Sequence, residues 1–134
     1  MDASAYLHFD RQCEAAFSFY ARTFGGDIVA LLRWADMPGG GAPAGMENLV
    51  MHAALKIGQA TIFGSDVPPA RYAKSVGFGV ALNVDGDDDA ERIFAALSEG
   101  GSATMAMSET FFAHRFGMVT DRFAIPWMVL HRKG

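Results

Sequence analysis

The stretch Thr110-Phe-Phe-Ala-His-Arg-Phe-Gly-Met-Val-Thr-Asp-Arg-Phe-Ala-Ile-Pro-Trp-Met128 decides the fold. Ala113–Thr120 and the segment opened by Pro126, running to His131, read as two strands, and Ala124 lies in the turn between them. Toward the N-terminus Ser102–Met107 adds a third strand. Gly100-Gly101 ends a helix whose apolar face is Ile93, Phe94 and Leu97. Asp87-Asp88-Asp89 supply its N-cap and the acids of its first turn. Gly77 to Val84 reads as a strand before that helix. The C-terminal half is therefore a strand, a helix and three strands.

The N-terminal half has the same order. Tyr6-Leu7-His8-Phe9 alternates as a half-buried strand does. Cys13, Ala16, Phe17, Tyr20 and Phe24 recur at helical spacing, and Gly25-Gly26 stops the helix. Ile28 to Trp34 is a strand. The Met37–Gly45 loop is Gly- and Pro-rich, and its tip is placed to cover a site. From Leu49 to Ile57 one face carries Leu49, Met51, Ala53, Leu55 and Ile57, the other Val50, His52, Ala54 and Lys56. Gly58-Gln59 turns the chain into Ala60–Ser65. The element order thus repeats with a unit of about sixty residues. The expected fold is α+β: two βαβββ modules forming a curved mixed sheet around a concave cavity, helices outside. The modules span approximately 5–66 and 77–131 of one domain, 1–134.

Composition sets outer bounds on function. The chain has 134 residues, 51% hydrophobic and 19% charged, with 11 basic against 15 acidic residues and a net charge of −4. No apolar run approaches a bilayer span, and the charge offers no footprint for nucleic acid or an anionic membrane. One cysteine, Cys13, precludes an internal disulfide. With no signal-peptide pattern, the expected location is cytoplasmic.

The 110–128 stretch closely resembles the C-terminal signature of PhnB-like proteins in the vicinal oxygen chelate superfamily, which includes glyoxalase I, bleomycin- and fosfomycin-resistance proteins and extradiol dioxygenases. Tyr6-Leu-His-Phe9, Phe19-Tyr-Ala-Arg-Thr-Phe-Gly-Gly26, Met51-His-Ala-Ala-Leu-Lys-Ile-Gly58 and Gly64-Ser-Asp66 are similar to that family too. Two positions depart from it: Phe112 stands where members commonly have Trp, and Ala124 where they have Gly. The latter costs steric energy if the turn needs positive φ.

The resemblance implies four metal-ligand positions in the metal-using relatives, which fall here at about Ser4, Phe63, Gly79 and Met128. None is a credible ligand, so no metal and no cofactor is expected. A displaced His/Glu site from His8, His52, Glu109 and His114 is the alternative, able to hold neighbouring substrate oxygens on a divalent cation. Glu109 alone is a candidate general base.

Each of these groups also has a structural reading. His52 is placed to hydrogen-bond to backbone or a neighbouring strand, His8 to sit on a rim, His131 in a solvated tail, and Glu109 to cap a turn. Trp127 fits core or cavity wall, and the eight methionines fit adaptable packing. Asp85–Asp89 lacks EF-hand spacing. Cys13 belongs to an apolar helix face, so a buried, inert thiol is expected despite the helix N-terminus.

Two functions follow from different classes. The first is a non-enzymatic binder of a small aromatic or amphipathic molecule, with Tyr6, His8, His52, Phe63, Glu109, His114 and Trp127 as ligand-binding residues. The second is a metal-dependent lyase, isomerase or dioxygenase on a vicinal-oxygen substrate. Relatives of the family have been described as demethylubiquinone methyltransferases, but a Rossmann methyltransferase needs a parallel sheet and a Gly-rich first turn, neither of which is legible here. A third reading, an interaction module, has Phe63, Phe112 and Phe116 plugging the cavity. A homodimer is expected, as for most oligomers of this kind.

Overall fold

The computed structural model describes residues 1–134. The chain divides into two units, Met1–Ala73 and Lys74–Gly134. In the first, β1 (Tyr6–Phe9), α1 (Cys13–Phe24), β2 (Asp27–Arg33), β3 (Val50–Ile57) and β4 (Ala60–Asp66) make a four-stranded sheet of order β1-β4-β3-β2, with β1 parallel to β4 and the other pairs antiparallel. In the second, β5 (Val80–Asn83), α2 (Asp87–Ser98), β6 (Ser102–Ser108), β7 (Ala113–Thr120) and β8 (Pro126–Arg132) repeat the plan with order β5-β8-β7-β6 and β5 parallel to β8. The doubled strand, helix, three-strand order is as the sequence predicts.

The same packing device recurs in both units. Each helix presses a phenylalanine onto a glycine of its sheet: a β-carbon built on Gly64 would fall 2.7 Å from Phe17, and one on Gly117 would fall 2.8 Å from Phe94. Only glycine lets the helices seat this closely. Helix α1 closes on Gly25, in the left-handed region at φ 74°, whose N–H donates to the Ala21 carbonyl. A β-carbon on Gly26 would meet the Lys56 carbonyl at 2.6 Å, so the paired glycines answer two different needs.

Several boundaries differ from the sequence reading. Trp34 leaves β2 because Arg33 N–H donates to Asp36 Oδ2, which nucleates a 3-10 turn over Trp34–Asp36. The strand read over Gly77–Val84 narrows to β5. The N-cap of α2 is Gly86, extended at φ −156°, and Asp87, Asp88 and Asp89 form the first turn, where they complement the helix dipole without capping it by side chain.

The largest departure is in β3. The β2–β3 register shifts between Leu32 and Arg33, which face His52 and Val50 respectively, so Met51 is an extra residue. This bulge reverses the strand's N-terminal faces. Val50 is buried, at 1% exposure, and Met51 turns to the opposite side, against the strict alternation expected from Leu49 to Ile57.

The β7–β8 turn settles the question raised by Ala124. Its φ is 69°, in the left-handed region, its N–H donates to the Asp121 carbonyl at 3.0 Å, and Asp121 N–H donates to the Ile125 carbonyl at 2.9 Å. Alanine is strained there and glycine is not. Ala124→Gly is expected to raise the unfolding free energy by about 0.5–1 kcal/mol, after the greater unfolded-state entropy of glycine is subtracted. A urea midpoint that falls instead of rising would contradict the assignment of strain.

Candidate functional site

In β1 the buried Leu7 and Phe9 alternate with the exposed Tyr6 and His8. The parallel pairing sets Tyr6 opposite Phe63 and His8 opposite Ser65 on β4. Tyr6 is fixed from behind: its hydroxyl lies 3.0 Å from His52 Nδ1, and its ring stacks on Phe63 at 6.1 Å between centroids. His52 stacks on Phe63 at 5.5 Å, and His8 meets Tyr6 edge-on at 5.6 Å. Four of the expected ligand residues, Tyr6, His8, His52 and Phe63, therefore form one aromatic cluster on the first unit's sheet.

Tyr6 and His8 also form one wall of a pocket of about 500 Å³. Met51, turned outward by the β3 bulge, and Ser65 continue the wall from the sheet. The remainder comes from Trp34 and from the segment after β4, through Val67, Pro68 and Arg71. That volume suits a small organic molecule, and a mostly apolar lining with a few polar groups is the usual composition of such sites. No residue of the Met37–Gly45 loop lines it.

Asp66 is the frame behind the pocket. It is 1% exposed; Oδ1 accepts from Cys13 N–H at 2.9 Å and Oδ2 from Val50 N–H at 3.0 Å, and its main-chain carbonyl accepts from the Trp34 indole at 3.1 Å. One side chain thus ties the start of α1 to the start of β3, while its carbonyl orients the Trp34 ring. Burial pushes the Asp66 carboxyl above its ordinary range, partly offset by those backbone donors. Burial, with the nearby Asp66 and Glu14 charges, also pushes the Cys13 thiol far up, so Cys13 is an inert core thiol.

The other expected ligand residues lie in the second unit and do different work. Trp127 is 1% exposed, and its indole N–H donates to Asp121 Oδ2 at 2.8 Å, so it is a core residue and not a wall of the pocket. Glu109 pairs with Lys133 at 2.6 Å, and the ammonium holds its carboxyl below the usual range, which makes Glu109 a weak base and not a turn cap. His114 lies at a register shift of β7 with its ring 4.8 Å from that of His131. His131 in turn bonds Asp87 at 2.8 Å, which takes it out of a solvated tail. Phe116 is buried in an apolar cluster with Ala113 and Leu130, and Phe112 rests on it edge-on at 5.2 Å.

The positions implied for a metal do not suit one. Phe63 N–H donates to the Ala5 carbonyl, next to Ser4, and a β-carbon on Gly79 would touch Met128 at 3.6 Å, so each pair lies close in its unit, but none of the four offers an imidazole or carboxylate. Neither unit gathers three or more His, Cys, Asp or Glu side chains into a group that could hold a metal ion. Of the displaced set, His8 and His52 lie in the first unit and Glu109 and His114 in the second.

Sequence reasoning missed Trp34, Met51, Ser65, Val67, Pro68 and Arg71. Trp34 was legible only as a strand end and Met51 only as a core position. Pro68-Pro69 marks an irregular stretch without saying what it faces.

Comparison with known proteins agrees with this architecture. A family model described as 3-demethylubiquinone-9 3-methyltransferase matches residues 2–130. The chain is 34% identical to Protein YjdN of Escherichia coli K12, over 96% of this chain and 94% of that protein. Its fold matches protein PA1353 of Pseudomonas aeruginosa with a TM-score of 0.89 at 40% identity, covering 100% and 99% of the two chains. It also matches the PhnB protein of Bacillus cereus, with a TM-score of 0.82 at 20% identity over 98% and 99%. A glyoxylase/bleomycin resistance protein/dioxygenase domain from Frankia shares the fold alone, with a TM-score of 0.66 at 12% identity over 99% and 98%. With two βαβββ units in place and these matches spanning nearly its whole length, the chain belongs to the PhnB-like family whose model it matches, and its fold is that of the vicinal oxygen chelate proteins.

Proposed function

We propose that the chain is a binding protein for a small aromatic or amphipathic molecule, held in the first unit's pocket without metal or cofactor. The observation that carries this reading is the pocket of about 500 Å³ walled by Tyr6, Trp34 and Met51. Aromatic rings and a thioether suit a flat apolar body, while the Tyr6–His52 bond holds one ring in place before any ligand arrives. The description of the matched family model names a methyl transfer; the pocket reading does not rest on it, because neither unit contains a doubly wound parallel sheet of the Rossmann kind.

Trp34 makes the reading testable. Titration with one- to three-ring aromatic alcohols is expected to give a saturable change in tryptophan emission that disappears in Trp34→Phe and whose midpoint is weakened at least tenfold by Val67→Phe, which narrows the pocket. A change in emission that never saturates with any of them, or that persists undiminished in Trp34→Phe, would overturn it. The same reading includes a symmetric homodimer, supported by the edge strand β2, whose Ile28, Val29 and Leu32 are exposed. Light scattering should then give about twice the 14.4 kDa chain mass, whereas a single chain mass at micromolar concentration would remove it.

A further inference from the structure

We infer that the pocket selects an aromatic anion, with a carboxylate-type head on Arg71 and a planar body against Tyr6 and Trp34; this rests on the pocket reading above. Arg71 is the one permanently charged side chain that lines the pocket, and no carboxylate lines it. The nearest acid in the chain path, Asp66, is spent: it is buried, and both oxygens accept backbone N–H groups. Four other cations are paired, Arg33 with Glu14, Arg92 with Asp89, Arg115 with Glu91 and Lys133 with Glu109, whereas no carboxylate pairs with Arg71. A chain of net charge −4 thus presents a pocket whose fixed charge is positive.

The cation is also delivered from a stiff segment. Pro68 and Pro69 restrict the backbone that leads into the Pro69–Arg71 3-10 turn, and Arg71 N–H closes it on the Pro68 carbonyl at 2.8 Å. The stiff turn fixes where the Arg71 side chain starts, and its planar fork fits the two oxygens of a carboxylate. The ring of Trp34, oriented through its N–H bond to the Asp66 carbonyl, offers a face to a planar ligand at the same pocket.

The experiment compares 2-naphthoate with its neutral isostere 2-naphthamide by calorimetry and Trp34 emission, on the wild type, Arg71→Met and Arg71→Lys. The acid is expected to bind about tenfold more tightly than the amide, with the preference abolished in Arg71→Met, reduced in Arg71→Lys and lowered by added salt. Equal affinities in the wild type, or a preference that survives Arg71→Met, would overturn the anion inference and leave the pocket reading standing. If neither compound binds nor alters Trp34 emission, this inference is overturned, and the aromatic-alcohol titration above decides whether the pocket reading falls with it.

Discussion

Replacing Asp121 by alanine is expected to cost about 3–5 kcal/mol of unfolding free energy, the largest effect of any polar substitution in the second unit. The side chain is 4% exposed. Oδ1 accepts from Phe123 N–H at 2.8 Å and Ile125 N–H at 3.0 Å, and Oδ2 accepts from the Trp127 indole at 2.8 Å. Alanine leaves three donors without these acceptors, and each buried orphan costs about 1–3 kcal/mol. It also loosens the turn that holds Ala124 at positive φ, so the strain there loses its restraint. Asp121→Asn keeps one carbonyl oxygen but sets an amide against a donor, and an intermediate cost of about 2 kcal/mol is expected. Urea unfolding followed by far-UV dichroism reads the order Asp, Asn, Ala; equal stabilities for Asp and Ala would show that the turn is held by the backbone alone.

Gly64→Ala comes next in size, with an expected cost of about 2–3 kcal/mol from overpacking. The new methyl would lie 2.7 and 2.8 Å from Phe17 Cε1 and Cζ and 3.2 Å from the Leu7 carbonyl. Phe17 has little room to yield, since it is fully buried and meets Phe9 at 6.0 Å and Tyr20 at 6.1 Å between ring centroids. Phe17→Leu introduced beside Gly64→Ala should recover part of the loss, giving a coupling energy of about 1 kcal/mol or more in a double-mutant cycle. Gly79→Ala is the control: its added methyl meets Met128 at an ordinary 3.6 Å, and a change within about 0.5 kcal/mol is expected. Additive behaviour of the first pair would remove the steric explanation of the glycine.

Both predictions concern residues that hold the fold, and both lie within segments that carry the family likeness. Gly64-Ser65-Asp66 combines a glycine that admits a helix ring, a serine lining the pocket and a carboxylate that ties α1 to β3. In the 110–128 stretch, Asp121 organises the last turn and Trp127 fills the core beside it. A motif legible in the chain is thus accounted for mainly by packing and hydrogen-bond satisfaction, and only in part by the pocket.

The sequence by itself determined the doubled strand, helix, three-strand order, the bounds of α1 and β7, and the pairing of outward Tyr6 and His8 with inward Leu7 and Phe9. These follow from local periodicity and glycine punctuation, which act over a few residues. Tertiary structure decided the rest. The bulge at Met51 depends on how β2 pairs with β3, and a shift of one residue exchanges the faces of a strand, so no period read along β3 alone could place Met51 in the pocket. Glu109 and His131 acquire their roles from Lys133 and Asp87, brought beside them by β8 and α2. Arg71 counts as a pocket residue only because β4 runs beside β1 and delivers the Pro68-Pro69 turn to the wall that Tyr6 and His8 begin.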